Sequence, residues 1–237
     1  MVKRLKKALL LVAAVGVASI AYPDQLQPRE GSPVTVSLNK FHQQDFTAAT
    51  HLVTHDLRLA LGATDSAQLT FWLTNSATQE LVSVSFFATP EDVNALQKDQ
   101  SLDDIFDKLA PLRNGPEAKF RSTAVLVPNT TQLENYQPSR GDTAVIHVNK
   151  FTAETYDSGM AILLGDYAMS LNESSEAVLT YWLANPETYE IVDVSVFAAD
   201  IGSDSVLAAS QRSEALQPLE PLRRAPQIRL QYQFVTS

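Results

Sequence analysis

The strongest constraint on the fold is a repeat within the chain itself. Four segments recur at one constant offset, among them "QLTFWLTN", which starts at position 68 and returns at position 178 as "VLTYWLAN". Between Asn39 and Ala88, 18 of 50 positions carry the same residue as the equivalent position between Asn149 and Ala198. The repeat predicts a tandem duplication of one unit, with copy one over residues 31–127 and copy two over residues 141–237.

The remaining segments are short. Residues 1–21 carry four basic residues between Lys3 and Lys7 and then an apolar run from Ala8 to Ala21, which is the layout of a secretory signal peptide. The run is shorter than the roughly 20 residues that a membrane-spanning helix needs, so we expect cleavage, no integral membrane span afterwards, and a periplasmic or secreted protein. An uncleaved membrane anchor is the alternative. Residues 22–30 form a polar lead, and residues 128–140 are predicted to be a linker.

Charge and cysteine content narrow the possible partners. The net charge is -9, and removal of the four basic residues of the signal segment leaves 14 basic against 27 acidic residues, a net charge of -13. Such a charge repels phosphate backbones, so nucleic acid is excluded as an expected partner. Because the chain has no cysteine, it has neither disulfides nor a thiol nucleophile. We therefore expect each of the two units to be stabilised by a hydrophobic core of its own.

A β-hairpin is the clearest element of the unit. Its arms, near residues 67–75 and 80–88, are rich in the β-branched and aromatic residues typical of strands, and the second copy has its first arm near 177–185. Pairing Asn75 with Glu80 places Leu69, Phe71 and Leu73 on one apolar face, which we predict to be the core side.

The rest of the unit predicts further strands and a helix. Alternating apolar residues predict a first strand from Val34, and "AKFRSTAVLV" predicts a closing strand. The segment 56–62 alternates as a strand does, whereas the stretch before it has either helical or extended character. Helical spacing from Pro90 to Leu112 predicts a helix that covers one face of the sheet, and residues 203–219 are its weaker counterpart. The predicted fold class is α+β, a tandem duplication of a unit with a mostly antiparallel sheet and one covering helix.

The other face of the hairpin is identical in the two copies at four positions, which makes it the candidate binding surface. Tryptophan is enriched at interfaces, so an exposed Trp here would mark a binding surface, while a buried one would serve folding. The candidate binding residues are Thr70, Trp72, Ser85 and Phe87 in copy one and Thr180, Trp182, Ser195 and Phe197 in copy two.

Histidines offer a second candidate site. His51 and His55 are four residues apart, with His42 nearby, and an i, i+4 pair on a helix can chelate one metal ion. On a strand the two rings would lie about 13 Å apart and could not. Copy two has Ala161 and Gly165 at the equivalent positions, so any metal site would belong to copy one alone.

Catalytic motifs are weak in this sequence. "SLNK", Ser37 to Lys40, has the Ser-x-x-Lys spacing of some acyl enzymes, but copy two replaces the serine with His147. No nucleophile elbow, zinc-protease motif or phosphate loop occurs, and no cofactor is expected. We therefore predict a non-enzymatic binding or assembly protein that contacts an envelope or extracellular protein or glycan. The alternatives are a secreted or periplasmic hydrolase with a dispersed site and a metal-handling protein that uses the histidines of copy one.

Overall fold

The computed structural model describes residues 27–64, 67–128, 132, 136, 138–168, 179–201 and 216–235. Residues 27–128 are called the first half below, and residues 138–235 the second half. The predicted signal peptide, residues 1–21, lies outside the described residues. Within these ranges eight strands form the sheet: β1 (Pro33–Lys40), β2 (Ala67–Asn75), β3 (Glu80–Phe87), β4 (Ala118–Leu126), β5 (Thr143–Lys150), β6 (Leu179–Asn185), β7 (Glu190–Phe197) and β8 (Ile228–Phe234).

Helices connect the strands. The first half has α1 (Phe46–His51), a π-helix (Leu52–Leu57) and α2 (Arg58–Thr64) after β1. Between β3 and β4 it has α3 (Pro90–Gln97), a 3-10 turn (Gln100–Leu102), α4 (Asp103–Leu109) and a second 3-10 turn (Ala110–Leu112). The second half has α5 (Tyr156–Ile162), a π-helix (Leu163–Tyr167) and a 3-10 helix (Gln217–Leu222). No helix within the described ranges is both long and apolar enough to span a membrane.

The hairpin prediction is confirmed in register. Asn75 pairs with Glu80, Phe71 with Val84, and Leu73 with Val82. The turn is held by Asn75, whose side-chain oxygen accepts hydrogen bonds from the backbone N–H groups of Ala77 and Thr78 at 3.0 and 3.2 Å. These bonds end β2 at the residue where the sequence pattern places the turn.

All eight strands form one closed antiparallel barrel in the order β1-β3-β2-β8-β5-β7-β6-β4. The strands of each half are adjacent, and the pairs β2–β8 and β4–β6 join the halves. The registers of the two halves correspond: Val34 pairs with Phe86, and the equivalent Ala144 pairs with Val196. The predicted fold class is nevertheless wrong, because the chain is a single barrel and not two α+β units that each carry a covering helix.

The hydrophobic core shows why the prediction of two separate units is wrong. The apolar hairpin face that contains Phe71 points into the barrel, where the opposite half covers it. The Phe71 ring lies 5.3 Å from that of Tyr181, across the barrel, and 5.5 Å from that of Phe234 on the neighbouring strand β8, both in edge-to-face contacts. Residues of both halves thus form one shared cluster, and the expectation of a separate core for each unit is wrong in the same way.

Helices cover the outside of the barrel in the first half. Residues 56–62, predicted as a strand, are helical, because Val53 and Leu57 bury one turn apart against the sheet while Leu59 is 65% exposed. The helix predicted from Pro90 to Leu112 is confirmed as helical but is divided into α3 and α4. Thr89 caps α3 through a capping box with Asp92. Most of the predicted counterpart, 203–219, lies outside the described residues.

Candidate functional site

A cavity of about 230 Å³ lies between the outer face of the sheet and the helices of the first half. Strands β1, β2 and β3 form its floor, and the helical segments form its walls. Apolar side chains line most of it: Phe41, Val53, Leu57, Leu61, Trp72, Leu81, Phe87, Val93, Leu96, Phe106 and Leu109. The cavity combines apolar walls with polar groups, and small-molecule sites use such a combination to bind and orient a ligand.

The polar groups of the cavity are concentrated on the sheet. Alternation along β1 and β3 directs every second side chain outward, so the strands present Thr35, Ser37, Asn39, Ser83 and Ser85 together on the cavity floor. Arg113 reaches the same floor, where its Nε donates a 2.7 Å hydrogen bond to Asn39 Oδ1. Glu117 and Lys119 also line the cavity and form an ion pair with an N–O distance of 3.7 Å.

The second half has different residues at the positions equivalent to the middle of the cavity floor. Where the first half has Ser37 and Ser83 opposite each other, the second has His147 and Asp193. His147 Nδ1 lies 2.8 Å from Asp193 Oδ2, and both side chains are almost fully buried. One half therefore has small hydroxyl groups at these positions and the other has a hydrogen-bonded ionisable pair.

The predicted binding face does not form a free surface: seven of its eight residues are buried, and Thr70 is half-buried. Trp72 is 8% exposed and borders the cavity with Ser85 and Phe87, while Thr70 lies beside them and donates a 3.1 Å hydrogen bond to Ser85. In the second half Trp182 is fully buried, and its three companions are also buried: Thr180, Ser195 and Phe197. Helices cover this face in the first half because the other face, with Leu69, Phe71 and Leu73, is already covered inside the barrel.

The Ser-x-x-Lys spacing carries no catalytic pair. Ser37 is buried on the outer face of β1, whereas Lys40 is exposed at the end of the strand. Their odd separation directs the two side chains to opposite faces of the sheet. The lysine therefore cannot activate this serine.

The structure brings two of the three predicted metal ligands together and adds a third. His51 and His55 lie one turn apart, and their ring centroids are 5.0 Å apart. One candidate ligand atom from each histidine and one from Asp56 all lie within 4.8 Å of one another. His42 precedes the helix and is not part of this cluster. The hydrogen bond from His55, at 2.8 Å, lowers the pKa of Asp56, which keeps the carboxylate ionised and available as a ligand.

The metal site remains a prediction with a direct test. Because two imidazoles on one helical face chelate an ion, we expect Zn²⁺ to bind the wild-type protein in calorimetric titration. His51→Ala should weaken binding by about tenfold or more, since one of the chelating rings is lost. His42→Ala, the matched control, should leave Zn²⁺ affinity unchanged. Equal affinities of wild type and His51→Ala would contradict the site.

Comparisons with known proteins find solved structures of similar fold. No protein-family model matches the chain, and no curated protein matches it. A candidate monooxygenase from Fusobacterium nucleatum subsp. nucleatum is similar in structure, with a TM-score of 0.70, 13% identity, and coverage of 87% of this chain and 94% of that one. An anthrone oxidase-like protein has a TM-score of 0.62 at 11% identity, covering 88% and 93% of the two chains. A haem-binding protein from Thermus thermophilus has a TM-score of 0.53 at 11% identity, covering 88% and 92%.

These findings correct the functional prediction. The weakness of the catalytic motifs favoured a non-enzymatic envelope binding protein, but similar structures include a candidate monooxygenase and an oxidase-like protein. The prediction that the protein is not an enzyme is therefore unsupported. The periplasmic or secreted location likewise has no support in the fold. Because it rests on residues outside the described ranges, the location stays a prediction, as do the envelope partners.

Proposed function

We propose that the protein is an enzyme that binds a small, mainly apolar organic molecule in the first-half cavity and oxidises it with O₂. A phenol such as 1-naphthol and one O₂ would give a quinone and one molecule of water. The observation that carries the proposal is the cavity itself, with its apolar walls and its polar floor on the sheet. Two proteins of the same fold, a candidate monooxygenase and an anthrone oxidase-like protein, support oxidation as the class of reaction.

The size of the cavity restricts the substrate. Its volume, about 230 Å³, is larger than the roughly 150 Å³ of an engineered cavity that holds benzene. It is smaller than the roughly 300–1,000 Å³ of sites for drug-sized ligands. A molecule of one or two rings is therefore favoured over a three-ring anthrone.

The floor of the cavity restricts how the substrate is oriented. Ser37, Ser83 and Ser85 supply hydroxyl groups that both donate and accept hydrogen bonds. Arg113 adds a guanidinium whose Nε is already fixed by Asn39. A ring compound with one hydroxyl or carbonyl group would place that group on the sheet and its rings against Trp72 and the helices.

Haem, which one similar structure binds, does not fit this cavity. Protein ligands of haem iron are His, Cys, Met or Tyr. The described residues that line the cavity include none of these types. No step of the proposed reaction therefore uses haem.

The test combines binding with oxygen consumption. We expect 1-naphthol to quench the fluorescence of Trp72, measured in a Trp182→Phe variant so that a single Trp reports on the cavity, and to be consumed with uptake of O₂. Ser83→Leu fills the floor and should weaken binding at least about tenfold, roughly 1.4 kcal/mol. The same change at the exposed turn residue Ser76 is the matched control and should have no effect.

Two results would count against the proposal. Unchanged 1-naphthol binding by Ser83→Leu would show that the cavity is not the site. Binding that Ser83→Leu abolishes, without oxygen uptake for any one- or two-ring phenol, would retain the site and exclude the oxidation.

A further inference from the structure

The wall of the first-half cavity contains a π-helix, Leu52–Leu57. The backbone N–H of Arg58 donates a hydrogen bond to the carbonyl oxygen of Val53, five residues earlier. The second half has the same hydrogen bond at the equivalent position, from Ala168 to Leu163. Single-turn π-helices are rare and occur frequently at functional sites. Because the second half forms one without a histidine in this segment, the π-helix is a property of the fold.

The π-helix keeps the cavity wall in line. Four apolar residues of the helical segment pack into the same cluster, each four positions after the one before: Ala49, Val53, Leu57 and Leu61. The last three of them line the cavity. In an α-helix, with 3.6 residues per turn, each step of four residues rotates by about 40°, so three steps would turn the row by about 120°. The wider π-helical turn reduces that rotation, and its loss would turn Leu61 away from the cavity.

The exposed face of the same segment carries the candidate metal ligands. His51 and Asp56 are five residues apart, and in an α-helix their side chains would point about 140° away from each other. The i→i+5 hydrogen bonding of the π-helix returns Asp56 to the face of His51, where both lie beside His55. An α-helical form would keep the two histidines together, four residues apart, but would lose the aspartate. A cation held by all three residues therefore favours the π-helical form.

We propose that a divalent cation such as Zn²⁺, held by His51, His55 and Asp56, regulates ligand binding in the cavity by fixing the π-helix. Zn²⁺ lies about 2.0–2.2 Å from nitrogen and oxygen ligands, so two ligand atoms of one ion are at most about 4.4 Å apart. Both histidines are exposed, and small rotations of their rings reach that separation. Because linkage is reciprocal, the cavity ligand must raise the affinity for Zn²⁺ by the same factor.

The first test measures the coupling between the two sites, and it rests on the proposed function for the choice of ligand. Zn²⁺ in place of EDTA should raise the affinity of the full chain for 1-naphthol at least about fivefold, followed by quenching of Trp72 in the Trp182→Phe background. Asp56→Ala is the matched variant. It retains both histidines and should still bind Zn²⁺, but the ion no longer favours the π-helix, so the increase should be lost.

The second test needs no cavity ligand. Zn²⁺ should slow amide hydrogen exchange at residues 56–58 at least about fivefold in the wild type, and much less in Asp56→Ala. If 1-naphthol binds with neither Zn²⁺ nor EDTA, the proposed function fails, and hydrogen exchange alone decides the role of the cation. Three results would overturn the inference: no binding of Zn²⁺, equal slowing of exchange in wild type and Asp56→Ala, or the same 1-naphthol affinity with Zn²⁺ and with EDTA.

Discussion

Residues 27–128 expressed alone should not give a folded monomer. In the full chain the inner face of this half is covered by the other half, and its buried inner residues include Phe71, Leu73, Val84 and Phe86. Each such side chain contributes about 1.5–3 kcal/mol when buried, so loss of the cover costs on the order of 10 kcal/mol. That is comparable with the whole stability of a typical domain, about 5–15 kcal/mol.

Size-exclusion chromatography and thermal unfolding followed by circular dichroism would test this expectation. The isolated half should appear as aggregate, as unfolded chain, or as a dimer in which a second copy supplies the missing cover. Coexpression with residues 138–237 is the control and should restore a cooperative transition. A monomeric first half that unfolds cooperatively would show that the shared core is not needed.

The two tryptophans should differ in their contribution to stability. Trp182 is fully enclosed, whereas Trp72 borders the cavity. Replacement of a buried Trp by Ala costs roughly 3–5 kcal/mol, and the loss is greatest where the site is closely packed. We expect the loss of unfolding free energy to lie in the upper part of that range for Trp182→Ala and in the lower part for Trp72→Ala. Urea unfolding would measure both losses.

Trp72→Ala should also alter the cavity. Removal of the indole adds space, so the variant should accept a three-ring phenol that the wild type binds weakly. Trp72→Phe, which retains an aromatic wall, is the control. Equal losses of stability in Trp72→Ala and Trp182→Ala would contradict the expected difference in packing around the two side chains.

The sequence was sufficient to predict the hairpin and its register, because an alternation of two fixes which residues share a face. It was not sufficient to predict what covers each face. Phe71 and Trp72 are both apolar and adjacent, so the pattern marks both faces of β2 as suited to burial without saying which one meets the helices. The closing pairs β2–β8 and β4–β6 join segments far apart in the chain, and local periodicity contains no information about such contacts.

The candidate site was harder to predict for a different reason. Serine and threonine on a strand are ordinary surface residues, and only the fold shows that Ser37 and Ser83 form a cavity floor. One signal was present: the two copies differ at these two positions, and the hairpin register together with a first strand beside it would have paired His147 with Asp193. The histidines at 51 and 55 lie one turn apart in the structure, whereas the sequence left open whether their segment is helical.

The closed barrel has a consequence for how such a molecule can be altered. Its interior is packed by residues of both halves, whereas each half has a buried cluster of its own on the outer face. The pairing of β1 with β3 tolerates two serines, and the equivalent pairing of β5 with β7 tolerates a histidine and an aspartate. A protein engineer could therefore redesign one outer compartment while keeping the other as an internal reference within the same chain.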